Sequence, residues 1–169
     1  MVTRVQSFAP VIGTNPRVII LGSMPSIASL EAVQYYAHPR NAFWPIMGRL
    51  FNFDPAADYS DRIRQIEALP IILWDSLKAC YRPGSLDSNI DDGSAEPNDF
   101  PWLLQQHPDV RAILFNGATS EKYFRKLALP QLPQFEHIEL IRMPSTSPAN
   151  AGRSFEQKLA AWGRILDYL

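Results

Sequence analysis

Arg17-Val18-Ile19-Ile20-Leu21-Gly22-Ser23-Met24-Pro25 is the stretch that decides the fold. Arg17 to Leu21 is short, apolar and β-branched, and Gly22 closes it, so it reads as a buried strand. Three further runs read the same way: Ile71-Ile72-Leu73-Trp74, finishing at Asp75; Ala112-Ile113-Leu114-Phe115, ending in Asn116-Gly117; and His137 to Met143, with Pro144 to Asn150 as exit loop. Helical patterns lie between them. Asn41 to Phe51 carries Phe43, Trp44, Met47, Leu50 and Phe51 at helical spacing. Ser60 is placed to cap a helix bearing Ile63, Ile66 and Leu69, which Pro70 ends. Phe100 to Gln106 and Thr119 to Leu127 are short helices. Ser154 to Leu169 is amphipathic, with Phe155, Leu159, Trp162, Ile165 and Leu166 on one side.

Strands alternating with helices predict an α/β fold: three α/β/α layers around a central four-stranded parallel sheet. The expected arrangement is one domain over residues 1–169. In such folds ligands bind at the carboxyl ends of the strands. The candidate site is therefore Gly22-Ser23-Met24-Pro25, Asp75-Ser76, Asn116-Gly117 and Pro144-Ser145-Thr146-Ser147-Pro148. Gly22 permits close approach of the backbone to a ligand. The hydroxyls and N–H groups of Ser23, Ser26, Ser145, Thr146 and Ser147 suit phosphate, and equally suit ordinary turn formation.

Composition narrows the chemistry. Cys80 is the sole cysteine, which excludes an intrachain disulfide, a four-thiolate cluster and a zinc ribbon. His38, His107 and His137 have no ligand spacing, and no Walker loop, G-x-G-x-x-G or H-E-x-x-H occurs, so neither cofactor nor metal is expected. No apolar run has the length to cross a bilayer, and Met1 to Gln6 lacks the blocks of a signal peptide. The expected location is the cytoplasm, on the nucleoid if the source is bacterial. The formal net charge of −1 decides nothing about nucleic acid, but the cations are four lysines against twelve arginines, and Arg suits bidentate phosphate contacts. Residues 82–100 form a polar connection with five carboxylates, read as a solvated loop.

Tyr35-Tyr36-Ala37-His38-Pro39-Arg40-Asn41-Ala42-Phe43-Trp44 places an aromatic pair, a proline-fixed turn, a cation and a carboxamide directly before a helix. Asn41 reads as a helix N-cap or as a functional carboxamide. Phe43 and Trp44 read as core. Tyr36, beside the strand-exit cluster, is placed to stack on a planar ligand.

These motifs resemble a known family. Gly22-Ser23-Met24-Pro25 is similar to the first motif of the uracil-DNA glycosylase superfamily, a G-x-x-P loop after the first strand. Tyr36 to Trp44 resembles the aromatic-x-x-P-x-N-R-F-W segment of its mismatch-specific branch. Met143-Pro144-Ser145-Thr146-Ser147-Pro148 resembles the second motif, the loop that enters the minor groove. G-S-M-P, Y-Y-x-H-P-R-N-x-F-W, L-W-D-S-L, R-x-G-S-L-D and P-S-T-S-P-A-N together resemble most the hypoxanthine-DNA glycosylase branch, from about Arg17 to the C-terminal helix.

The resemblance implies a monofunctional enzyme that flips a deaminated adenine from duplex DNA and hydrolyses its N-glycosidic bond. Uracil-specific members carry Asp or Asn where this chain has Met24, which cannot polarise water. The resemblance moves that task to Asn41, as water-orienting residue. Gly22, Ser23, Met24, Pro25, Tyr36, Asp75 and Asn116 are then expected around the base. The carboxylate of Asp75, otherwise a helix cap, is expected to accept from the base N1–H. Arg40, Ser145, Thr146, Ser147, Pro148 and Arg153 are expected on the DNA backbone, the two arginines being otherwise solvated surface. The expected partner is double-stranded DNA with a damaged base, bound by a monomer and away from membranes. No lysine stands in the strand-exit loops, so no Schiff-base lyase step is expected. The competing readings are a glycosylase acting on uracil, xanthine or mismatched thymine, a non-catalytic DNA-damage binding protein, and a small-molecule α/β hydrolase.

Overall fold

The computed structural model describes residues 3–169; Met1 and Val2, where the reading of a leaderless N-terminus begins, lie outside the described residues. The elements run β1 (Arg4–Gln6), β2 (Val11–Ile12), β3 (Val18–Gly22), α1 (Ile27–Ala32), α2 (Phe43–Phe51), α3 (Tyr59–Glu67), β4 (Ile71–Asp75), β5 (Leu77–Tyr81), β6 (Glu96–Pro97), α4 (Phe100–Gln106), β7 (Ala112–Asn116), α5 (Ala118–Tyr123), β8 (Glu139–Met143) and α6 (Phe155–Trp162).

The four expected strands form a parallel sheet in the order β4-β3-β7-β8, and β2 extends it as an antiparallel edge beside β4. Side chains alternate across this sheet, so its apolar runs feed two cores. Val18, Ile20, Ile71, Leu73, Leu114 and Ile141 face Phe43, Trp44, Ile46 and Met47 of α2 and Trp162 of α6. Ile19, Leu21, Ile72, Trp74, Ile113 and Phe115 face Phe100 and Leu103 of α4 and Phe124. The result is the three-layer α/β/α fold.

A second, three-stranded antiparallel sheet, β1-β5-β6, stands beside it. It was not legible in the sequence because only Ser76 separates β4 from β5. Ser76 turns the chain: its N–H donates to the Gly22 carbonyl (2.7 Å), and its hydroxyl bonds Ser120. Met24, Leu77, Cys80, Ile90 and Tyr123 pack beneath this sheet.

Three helix boundaries depart from expectation. Asp58, not Ser60, is the N-cap of α3. The predicted helix over Thr119 to Leu127 is α-helical only to Tyr123 and widens to a π-helical turn over Phe124–Ala128. α6 begins with a full Ser154/Gln157 capping box but tightens to 3-10 geometry at Gly163. Three residues per turn instead of 3.6 rotate Leu166 off the buried stripe, and it is exposed while Ile165 is buried.

Candidate active site

A cavity of about 560 Å³ opens at the carboxyl ends of β3, β4, β7 and β8, within the roughly 300–1,000 Å³ range of small-molecule sites. Gly22, Ser23, Met24, Pro25, Tyr36, Asn41, Asp75, Asn116, Ser145, Thr146 and Ser147 all line it. The four strand-exit segments therefore share one pocket, as their positions in a parallel sheet demand.

Gly22 ends β3 where no side chain fits. A Cβ there would stand 2.5 Å from Asp75 Oδ1 and 3.1 Å from the Tyr36 hydroxyl. The next residues diverge. Ser23 donates its hydroxyl to Asp87 Oδ1 (2.7 Å), whereas Met24 is buried against Leu77, Cys80, Ile90 and Tyr123. The Met24 side chain thus packs in the core of the small sheet, and the residue borders the cavity without a polar side-chain atom to offer a ligand.

The two adjacent tyrosines divide. Tyr35 is a buried strut: its hydroxyl donates to the Ala9 carbonyl (2.7 Å), and its own carbonyl accepts Trp44 Nε1–H (2.8 Å). Tyr36 has a left-handed backbone, φ +55°, costing of order 1–3 kcal/mol in a bulky residue. That turn lays its ring on Phe43, centroids 4.0 Å apart and planes 26° from parallel. The Tyr36 hydroxyl is buried without a hydrogen-bond partner, and burial, then the charge of Asp75, raises its pKa.

Asn41 sits just before the helix start. Ala42 is the N-cap of α2 by backbone position, but Asn41 Oδ1 accepts the Phe43 N–H (2.9 Å). The carboxamide is thus held by a capping bond while lining the cavity. An amide oxygen accepts two hydrogen bonds, so the cap and a functional role are compatible.

The loop after β8 is fastened from within. Asn116 Nδ2–H donates to Thr146 Oγ1 and Asn116 Oδ1 accepts the Thr146 N–H, both at 2.9 Å. The Thr146 carbonyl accepts the Ala42 N–H (2.9 Å), joining this loop to the start of α2. Thr146, expected on the DNA backbone, is buried in the cavity wall, where its hydroxyl accepts from Asn116 and keeps its own proton to donate. Asn116 holds the loop through one N–H and one lone pair of its carboxamide, and it lines the cavity. Gly117, at φ +97°, lies directly under Ser145, where a Cβ would come 3.1 Å from the Ser145 Cβ. Ser145 Oγ accepts the Ser147 N–H, and Ser147 Oγ accepts the Ala149 N–H. Pro148 is half-buried outside the cavity lining, and Arg40 and Arg153 are exposed beyond it.

The sequence reading missed Arg82 and Asp87, although R-x-G-S-L-D was visible. Arg82 is buried; its guanidinium donates to the Gly84 carbonyl (2.7 Å) and the Pro25 carbonyl (2.6 Å), clamping the connection to the first loop. Ser85 Oγ accepts the Ile27 N–H (2.8 Å). This brings Asp87 to the cavity rim, where partial burial raises its pKa against the opposing Ser23 bond and Arg82 charge. The acidic connection is a wall of the site, not only a solvated loop.

Asp75, last in β4, is buried with Oδ2 unpartnered. Burial, then the charge of Asp87, pushes its carboxyl up to about 7, with Arg82 opposing. It caps no helix, since β5 follows. Among the described residues no three His, Cys, Asp or Glu side chains gather as a metal site requires.

A family model described as the uracil DNA glycosylase superfamily matches residues 9–166. A curated protein from Methanosarcina barkeri named hypoxanthine DNA glycosylase is 39% identical over 119 residues, covering 70% of this chain and 74% of that one. Its namesake from Methanosarcina acetivorans is 38% identical over 120 residues, with the same shares. A solution NMR structure from Methanosarcina acetivorans, described under the name uracil DNA glycosylase, superposes with a TM-score of 0.76 at 31% identity. It covers 97% of this chain and 99% of that one.

Proposed function

The chain belongs to the uracil DNA glycosylase superfamily, and on that premise we propose that it excises hypoxanthine from DNA by hydrolysing the N-glycosidic bond of deoxyinosine, as a step of base excision repair. The observation that carries this reading is the one cavity that gathers Tyr36, Asn41 and Asp75 at the strand ends, where Met24 brings no polar side chain. Support for the substrate comes from the two relatives named for hypoxanthine.

The damaged base leaves the stack at a cost of roughly a few kcal/mol, smaller for a mispaired base. One face of Tyr36 is taken by Phe43; the base stacks on the other. The base edge meets Asp75 and the backbone N–H groups near Ser23 and Met24. Asn41 orients the attacking water and sets its amide oxygen beside the oxocarbenium-like sugar. Asn116 serves the site by holding the loop. Gly22 and Pro25 shape its floor. Ser145, Ser147 and Pro148 approach the minor groove, and Arg40 and Arg153 contact phosphates. The enzyme works as a monomer and one domain on double-stranded DNA, in the cytoplasm; no helix among the described residues is long and apolar enough to cross a membrane.

No lysine lines the cavity, which supports a hydrolase that leaves the abasic strand intact. The test is a panel of duplexes bearing one deoxyinosine, deoxyuridine, deoxyxanthosine or G·T mismatch, read by release of free base under single turnover. Release of hypoxanthine fastest, with no borohydride-trapped adduct, is the expected result. Uracil released fastest, a trapped adduct, or lesion binding without any base release overturns it.

A further inference from the structure

Asp75 is 4% exposed, yet it lines the cavity and its Oδ2 has no hydrogen-bond partner. Among the described residues no cation forms an ion pair with it. Four titratable groups face it. From the segment before α2 come Tyr35 and Tyr36, both neutral because burial raises their pKa. From the segment after β5 come Arg82, which donates through Nε and Nη2 to the Gly84 and Pro25 carbonyls and keeps a buried Nη1 without a partner, and Asp87, which adds negative charge. A carboxylate buried without a hydrogen-bond or ion-pair partner is strongly disfavoured, and holding a proton removes that cost. The second orphaned group of the cavity, the Tyr36 hydroxyl, borders the same point above Gly22 as Asp75 Oδ1. Asp75 Oδ2 and the Tyr36 hydroxyl, with the Asn116 carboxamide beside the latter, are the unsatisfied buried polar atoms among the described residues lining the pocket.

A protonated carboxyl presents one donor and one acceptor side by side. The lactam edge of hypoxanthine presents the complement, an N1–H donor beside an O6 acceptor. We propose that Asp75 pairs with this edge as a neutral acid, accepting from N1–H and donating to O6, and that this bond to O6 also assists departure of the base. This rests on the reading that a flipped purine enters the cavity. An ionised Asp75 would accept from N1–H but set its second oxygen against O6. As the C1′–N9 bond breaks, its electron pair stays on the base and charge spreads to O6. A donor already aimed there is stronger in the transition state than in the ground state. The carboxyl can also turn to meet the N6–H and N1 of adenine. Discrimination against adenine therefore falls on duplex pairing and on the N–H groups near Ser23 and Met24.

The experiment is the single-turnover rate on a deoxyinosine duplex from pH 5.5 to 8, for wild type, Asp75→Asn and Asp75→Ala, with thermal unfolding checked for each. The wild-type rate falls above about pH 7 as the carboxyl ionises. Asp75→Asn, whose amide donates and accepts but does not ionise, stays within about tenfold of wild type at pH 6 and is flat across the range. Asp75→Ala is slower than wild type by about 10²–10³ at pH 6, the usual cost of one such donor, and is itself flat with pH, so the gap narrows as the wild type slows. A wild-type rate that rises through this range, or Asp75→Asn as slow as Asp75→Ala while both remain folded, overturns the neutral-acid pairing and leaves excision standing. A wild type that releases no hypoxanthine at any pH overturns the excision reading and the pairing together.

Discussion

Gly22 and Asp75 are neighbours across two strands with no room between them: a Cβ on Gly22 would lie 2.5 Å from Asp75 Oδ1. Parallel pairing of β3 with β4 puts these two residues opposite each other at the sheet's carboxyl edge. The same Cβ would meet the Tyr36 hydroxyl at 3.1 Å. Gly22→Ala must therefore displace both polar groups that face the base. We expect at least a tenfold loss of hypoxanthine excision, with a cooperative unfolding transition retained; a fully active Gly22→Ala protein would place the base elsewhere.

Tyr36 combines a left-handed backbone, a ring stacked on Phe43 and an unpartnered hydroxyl. The ring is the functional part. Tyr36→Phe keeps the ring stacked on Phe43 and should retain most of the excision rate. Tyr36→Ala should weaken binding of deoxyinosine DNA by about 1–3 kcal/mol, the range for one base–aromatic stack. Fluorescence anisotropy with lesion and undamaged duplexes separates this from general loss of DNA affinity, which should not change.

The paired bonds between Asn116 and Thr146 tie the loop after β8 to the sheet, and Thr146 ties that loop to Ala42. Thr146→Val keeps the shape and removes the hydroxyl that Asn116 grips. A buried donor left unmade costs about 1–3 kcal/mol. The variant should lose that much stability, and its loop should exchange amide hydrogens faster. A direct phosphate contact by Thr146 would instead flatten the salt dependence of DNA binding, which this geometry does not predict.

Stability should also depend on pH through Asp75. Its folded pKa is raised to about 7, above the unfolded carboxyl. The stability from its neutral burial is complete below the unfolded pKa, near about 4, and is lost as pH rises through about 7. Asp75→Asn removes this loss. Its stability relative to wild type should improve by roughly 2–3 kcal/mol between pH 5 and 7, read from urea unfolding at each pH. A constant difference would mean that Asp75 ionises normally in the folded protein.

Much of this architecture was legible in the chain. Val18 to Leu21, Ile71 to Trp74 and Ala112 to Phe115 are continuous apolar runs because both faces of the sheet are covered, and such runs stand out. Once they are parallel, the strand ends must converge, so the cavity followed from their order. The antiparallel sheet was hidden for the opposite reason: β5 mixes buried Leu77, Ala79 and Cys80 with exposed Lys78 and Tyr81 and leaves β4 through a single turning residue. Asp87 was hidden because its place depends on Arg82, whose guanidinium looks like surface in a sequence and is buried in the fold. The bond of Thr146 to Asn116 was hidden because a hydroxyl in an exit loop reads the same whether it points outward or, as here, toward a neighbouring strand end.

The central claim is that Asn41, held through its Oδ1 by the Phe43 N–H, also orients the water that cleaves the bond. The direct measurement is single-turnover release of free hypoxanthine from a deoxyinosine duplex by wild type and Asn41→Ala, with duplex affinity and thermal unfolding measured on the same preparations. The account predicts release by wild type and a rate lower by about 10²–10³ for Asn41→Ala, with affinity nearly unchanged and stability reduced by only about 1 kcal/mol for the lost cap. An Asn41→Ala protein that releases hypoxanthine at the wild-type rate would contradict it.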